Sequence, residues 1–264
     1  MENALYVALS RQMALRRMLD VTANNVANMN TTGFRAERPV FDDFVARARA
    51  SGSGMGQGIG TGTGDDATAF VVDRATYTDT REGAVAMTGN PLDVAIRGDA
   101  WLQVETPDGP RFTRDGRLNR DADGRLVTLS GHPVLDADGA TISLPEDVGT
   151  LTIDAGGTIS TRAVTGEGAV ETVALGRIGL FRLPGAQALA REEGGLVRFD
   201  GTAPAADGAG LVQGGLESAN VQPIMEMVRL IDLTRAYGQA NRMVEAEHER
   251  QRSAIGKLGG PATS

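Results

Sequence analysis

The sequence predicts an α+β, mainly β protein, in which an antiparallel β domain is inserted between N- and C-terminal amphipathic helices that pair as a coiled-coil-like layer. Three observations predict it: heptad-like apolar spacing at both ends, regularly spaced Asp-Gly pairs between short apolar runs, and a stretch alternating glycine with small residues. The expected divisions are 1–35 for the first helix, 36–80 for a linker, 81–215 for the β-rich domain and 216–264 for the last helix.

At the amino end Leu5, Ala8, Leu15, Leu19, Val26 and Met29 keep the three-and-four spacing of a helical seam, interrupted by Gln12 and Thr22. Asn28-Met29-Asn30-Thr31-Thr32-Gly33 should end the helix, because Asn and Gly tolerate a left-handed backbone and Thr loses side-chain freedom in a helix. At the carboxyl end Met227, Leu230, Thr234, Tyr237, Asn241, Val244, His248, Gln251, Ile255 and Leu258 keep the same spacing. Pro223 suits a first turn, and Gly259-Gly260-Pro261 is the expected stop. The polar seam positions Asn241, His248 and Gln251 weaken association but can fix register.

These helices would be roughly 40 and 55 Å long, more than a modest middle domain can cover. Each seam side chain can contribute about 1.5–3 kcal/mol, but only against a second helical wall. The termini are therefore expected to be poorly ordered alone and to fold on assembly.

Residues 51–64 carry glycine at every second position and read as a flexible or extended linker. From about Phe70 to Phe199, runs such as Leu102-Gln103-Val104 alternate with Asp108-Gly109, Asp115-Gly116, Asp123-Gly124 and Asp138-Gly139. Such pairs suit tight hairpins in which both central residues take positive φ.

Composition narrows the function. The 264 residues hold 34 acidic and 26 basic side chains, a net charge of −8, which argues against nucleic-acid or anionic-membrane partners. No stretch approaches 18 uninterrupted apolar residues, so no membrane insertion is expected. The first residues lack a signal peptide's apolar run, being interrupted by Glu2, Arg11, Arg16, Arg17 and Asp20. There are no cysteines, hence no disulfides or thiolate metal sites.

No catalytic, cofactor or metal site is predicted. The linker glycines fall at even positions only, so a G-x-G-x-x-G fingerprint cannot be drawn from them. Asn119, Asp121, Asp123 and Gly124 mimic a calcium loop, but Ser130 stands where its bidentate Glu is needed, and a hairpin turn is the better reading. His132 and His248 lie far apart, the first in a surface loop and the second on the seam. Asp93 and Asp99 read as solvated turn acids rather than a glycosidase pair, and Trp101 as a core anchor. A cell-wall glycan hydrolase and a dimeric binding module remain the alternatives from other classes.

The run Ala23-Asn24-Asn25-Val26-Ala27-Asn28-Met29-Asn30-Thr31-Thr32-Gly33-Phe34 resembles the signature that opens the axial proteins of the bacterial flagellum, the rod and hook family. Two further blocks agree in order: Gly89 to Asp99 followed by Phe112-Thr113-Arg114-Asp115-Gly116, and Leu216-Glu217-Ser218-Ala219-Asn220-Val221 with Arg235-Ala236-Tyr237. Length and the opening Leu9-Ser10-Arg11-Gln12-Met13 are most similar to the proximal rod member of that family, with the distal rod member next. The chain departs from the pattern at Ala100-Trp101-Leu102, at Ala219 and at Gly238.

The resemblance implies a structural, non-enzymatic role. Terminal helices would pack as an antiparallel pair lining a helical tube, with the β domain outside. Subunits would pass unfolded through the flagellar type III export apparatus and reside in the basal-body rod across the periplasm. Partners would be other rod proteins, copies of the chain itself and possible surrounding ring proteins. Leu15, Leu19, Val26, Leu230, Tyr237, Val244 and Ile255 would supply subunit packing, with Asn24, Asn25, Asn28 and Asn30 bonding between subunits or capping one helix.

Overall fold

The computed structural model describes residues 2–47, 67–145, 151–164, 170–183 and 189–258. The glycine-rich run 51–64 and the stop at Gly259-Gly260-Pro261 lie outside the described residues. Helix α1 spans Glu2–Ala27 and helix α2 Pro223–Leu258, about 39 and 54 Å at 1.5 Å per residue. Past α1, Thr31 N–H donates to Asn28 C=O at 3.0 Å and Gly33 takes φ +68°. Pro223 opens α2, where a missing N–H leaves no bond unmade, and Glu226 in the first turn complements the helix dipole.

All the strand pairs resolved in detail are antiparallel. Strands β1 (Glu37–Arg47) and β2 (Ala67–Thr78) form a two-stranded ribbon, so the stretch read as linker contains two long strands. Then follow β3 (Val85–Met87), β4 (Val94–Arg97), β5 (Trp101–Thr106), β6 (Gly109–Thr113), β7 (Leu118–Arg120), β8 (Leu126–Thr128), β9 (Leu151–Ile153), β10 (Thr158–Val164) and β11 (Val170–Arg177). Short strands β12 (Leu180–Phe181), β13 (Ala190–Arg191), β14 (Val197–Arg198), β15 (Gly210–Gln213) and β16 (Gly215–Glu217) complete the set. The largest sheet has the order β12-β5-β6-β14-β13, and a second has β11-β10-β9.

The strand period of two explains why this region has two cores. Along β5, Leu102 and Val104 face one way, into a cluster with Val94, Ile96, Leu126 and Ile159. Trp101 faces the other way, joining Phe112, Phe181 and Val197, with Phe112 and Phe181 edge to face at 6.0 Å. The anchor role expected for Trp101 therefore holds, in the smaller cluster.

The turns work differently from the expected hairpins, because among the described residues only glycines have positive φ. The run Asp-Ala-Asp-Gly occurs at 121–124 and again at 136–139. In each, the leading carboxylate accepts backbone N–H groups two and four residues on: Asp121 from Asp123 at 3.0 Å and Arg125 at 2.7 Å, Asp136 from Asp138 at 2.9 Å and Ala140 at 2.8 Å. The closing Gly124 and Gly139 sit at φ +82° and +83°. The side chain supplies the turn, and Asp121 is spent on it and on Arg125.

The chain divides into two compact units. One comprises residues 1–24, 38–77 and 224–264, and the other residues 25–37 and 78–223.

Candidate functional site

In the second unit, residues from all three signature blocks meet around one buried carboxylate. Glu217, at the end of β16, is 2% exposed. Its Oε2 accepts Arg114 Nε at 2.8 Å and Nη2 at 2.6 Å, while its Oε1 accepts Arg35 Nη2 at 3.2 Å and Gly83 N–H at 3.1 Å. Arg114, just past β6, uses its remaining donors on the carbonyls of Ile96 at 2.9 Å, Gly98 at 3.1 Å and Ala100. All five of its N–H groups thus have acceptors, and its guanidinium stands 5.8 Å from the Trp101 ring centroid.

Arg35 is less well served. Its Nε is buried without a hydrogen-bond partner, and burial, with the nearby Arg114 charge second, holds its pKa below the usual arginine range against the pull of Glu217. Such a triad adds little net stability over an apolar filling, but removing its one anion strands two buried cations, which costs about 3–5 kcal/mol.

Around this centre the segment after α1 is fastened on several sides. Gly33 N–H donates to Glu217 C=O at 2.8 Å, and a methyl on Gly33 would lie 2.4 Å from Arg114 C=O. Asn220 accepts Ala36 N–H at 2.7 Å and donates to the carbonyls of Asp79 at 3.0 Å and Arg81 at 2.9 Å. Phe34, Ala36 and Val221 form a small apolar cluster. Arg191 donates to Arg35 C=O at 2.9 Å, pairs with Glu37 at 2.8 Å and lies 5.0 Å from the Phe34 ring centroid; burial pulls its pKa down.

Asn25 belongs to the same fastening. Its amide donates to Glu37 C=O and accepts Glu37 N–H, both at 2.9 Å. This side chain is a tie within the chain, in place of the expected bond between subunits. Asn28 accepts Thr31 Oγ1 at 3.2 Å, a local bond at the helix end, while Asn24 and Asn30 are exposed.

The first unit holds the predicted subunit-packing residues apart from Val26, which falls in the second. Leu15, Leu19 and Val26 of α1 are half-buried, as are Leu230, Tyr237 and Val244 of α2; the Ile255 side chain lies outside the described residues. Gln12 Nε2 donates to Asn241 Oδ1 at 2.6 Å and lies 3.4 Å from the Tyr237 hydroxyl, so polar seam positions of the two helices pair. The seam on α2 is turned relative to the expected one. Leu233, Ala240 and Glu247 are the less exposed positions, while Met227, Thr234 and His248 are exposed. Both sets share Leu230, Tyr237, Asn241, Val244 and Gln251, and the burial follows the set that adds Leu233 and Ala240, the more apolar pair.

Other candidates resolve without chemistry. Asp93 is a buried turn acid instead of a solvated one, accepting Thr88 Oγ1 at 2.6 Å and Asn90 Nδ2 at 3.0 Å. No group of three or more His, Asp or Glu able to hold a metal occurs among the described residues, and no described helix is long and apolar enough to cross a membrane.

Arg35, Arg114, Glu217 and Asn220 were not predicted as site residues, although each lies in or beside a quoted block. Their signal was charge inside otherwise apolar blocks. Arg191 carries no such signal.

The fold and this junction define the class: a β-rich unit whose segment after α1 is tied around a buried ion triad, in a chain that begins and ends in long helices. Comparison with known proteins specifies which. Residues 5–35 match the family described as flagella basal body rod protein, 95–161 the D1 domain of flagellar hook protein FlgE/F/G, and 212–256 the carboxy-terminal region of flagellar basal body rod FlgEFG protein. The chain is 38% identical to the flagellar basal-body rod protein FlgF of Caulobacter vibrioides over 98% of this chain and 99% of the relative. It is 37% identical to FlgF of Mesorhizobium japonicum over the same shares, and 33% identical to the rod protein FlgG of Bacillus subtilis over 94% of this chain and 96% of the relative. The chain belongs to the flagellar basal-body rod protein family. It is a structural component of the basal-body rod and interacts with other rod proteins.

Proposed function

We propose that the chain forms the proximal part of the rod by polymerising through its terminal helices, which pair in an antiparallel, coiled-coil-like layer and transmit torque toward the hook. Residues 1–35 and 216–264 form that layer and 81–215 the outer domain. The proximal assignment is supported by the higher identity to the FlgF proteins of Caulobacter vibrioides and Mesorhizobium japonicum, 38% and 37%, than to the FlgG protein of Bacillus subtilis, 33%. The role is mechanical, without catalysis.

One observation carries the assembly reading: α2 holds Leu230 and Tyr237 half-buried yet leaves Ile224, Met225, Met227, Val228 and Ile231 exposed, an apolar surface that the described residues do not cover. Leu15, Leu19, Val26, Leu230, Tyr237, Val244 and Ile255 supply packing, and Asn24, Asn28 and Asn30 lie where a neighbour can be met. The isolated helices gain order on assembly, after the chain leaves the cell unfolded through the flagellar export apparatus. Surrounding ring proteins are further neighbours.

Leu19→Asp and Leu230→Asp each place a charge at the seam. Both should abolish incorporation into basal bodies and motility, while Trp101 fluorescence reports a folded β body. Normal basal bodies carrying both variants would defeat the assignment.

A further inference from the structure

Two features of the helical unit lie at different heights on one helix. Ile224, Val228 and Ile231 follow a spacing of four and three, so they line one face of α2 and are 78%, 50% and 52% exposed. At 100° per residue that face lies about 150° around the helix from Leu230, Leu233 and Tyr237, so nothing on the α1 side can cover it. Further along, Ala8 of α1 with Ala236, Ala240 and Met243 of α2 line a depression of about 190 Å³, edged by Arg11 and Gln239. Three of its six lining residues are alanines, whose small side chains leave room for a bulky aliphatic group. A cavity of about 150 Å³ already accepts a benzene ring, so one branched side chain fits in this volume.

The ridge is centred near residue 228 and the depression near residue 240 of the same rigid helix. They stand about 18 Å apart along the axis, and cannot meet within one molecule. Arg11 at the rim of the depression is matched by Asp232, the exposed acid beside Ile231 on the ridge. A contact between two different patches on identical chains closes into a ring only if the copies return to the same height, and an axial displacement of about 18 Å per contact prevents that. Repeated, it yields an open helical array, which a rod requires, whereas a self-matching patch stops at a dimer.

We propose that the Ile224–Val228–Ile231 ridge of one subunit seats in the Ala8–Ala236–Ala240 depression of a second, parallel copy displaced by about 18 Å along α2. This rests on the reading that the chain assembles through its terminal helices, and specifies the register of that assembly. Met243 closes the depression as an adaptable wall, and Arg11 meets Asp232 of the incoming copy. The contact is directional: each subunit offers a ridge to one neighbour and a depression to another.

The chain contains no cysteine, so disulfide trapping has no background from the chain itself. A disulfide forms only where Cα atoms come within about 7 Å. Two pairs keep the proposed offset: Val228→Cys with Ala240→Cys, and Ile231→Cys with Met243→Cys. Cells would co-express the two single variants of a pair, and basal bodies would be isolated, oxidised and compared with those from each variant alone. A dimer of this chain in both mixed samples, absent from each single variant, is the expected result. Self-linking of a single variant, no dimer in fully assembled basal bodies, or a disulfide to a different rod protein would each overturn the proposal. Absence of the wild-type chain from basal bodies would instead remove the underlying assembly reading, and this register with it.

Discussion

The junction around Glu217 and the first turns of α2, a helix that opens at Pro223 shortly after it in the chain, are finished in opposite ways. At the junction, Glu217 has all four lone-pair positions filled and Arg114 all five donors. Ten residues past Glu217, Met227, Val228 and Ile231 stand in solvent. Polar groups with fixed geometry set the fold of the subunit itself, where one wrong partner is costly. The apolar groups of α2 that the described residues leave exposed are, on the proposed assembly, surfaces whose other half neighbours would supply.

The largest test of this contrast is Glu217→Gln, which keeps the shape and removes the anion between Arg35 and Arg114. It should destabilise the β body by about 3–5 kcal/mol in denaturant unfolding followed by Trp101 fluorescence. A loss under about 1 kcal/mol would mean that the junction is ordinary surface pairing. Gly33→Ala comes next. Its methyl must enter the space of Arg114 C=O at a left-handed φ, so a loss of about 2–4 kcal/mol is expected by the same measurement.

Gly238→Ala sharpens the other side. A methyl there meets nothing within 4 Å, so the helix should gain about 1 kcal/mol and show more far-ultraviolet helix signal. If incorporation falls even so, the open space beside Gly238 is kept for a neighbour. The smallest effect concerns Glu192, whose carboxyl is held below the usual glutamate range by its hydrogen bond from Arg111, at 2.7 Å. Because the folded pKa is depressed, the pair contributes stability above the ordinary value near 4.5 and loses it as pH falls through the lower folded pKa. Glu192→Gln should therefore remove this contribution at neutral pH and flatten the acid limb below pH 4.5, so that the two proteins converge in stability at the lowest pH.

The sequence made the helices and the β body legible because each depends on local periodicity. Leu102 and Val104 alternate with Gln103, and Leu15 and Leu19 repeat at helical spacing. The phase of the α2 seam was less so, since Thr234 and Leu233 fit the same heptad and only packing decides between them. The junction was illegible for a further reason. Arg35 and Glu217 are separated by 182 positions, and no local pattern announces a partner that distant. Asn25 shows the same limit: its residue type promised a hydrogen bond, while its partner, the Glu37 backbone, depended on how the chain doubles back.

That 182-residue span also orders events in time. Closing so wide a loop costs about 4.6 kcal/mol in chain entropy before any bond rewards it, and long-range closures of this kind form late and slowly. In a nascent chain the segment after α1 therefore stays unfastened from Glu217 until the last fifth is present. The amino-terminal segment is locked only once Glu217 arrives, which makes the clasp a completeness check: a chain lacking its tail cannot set its head.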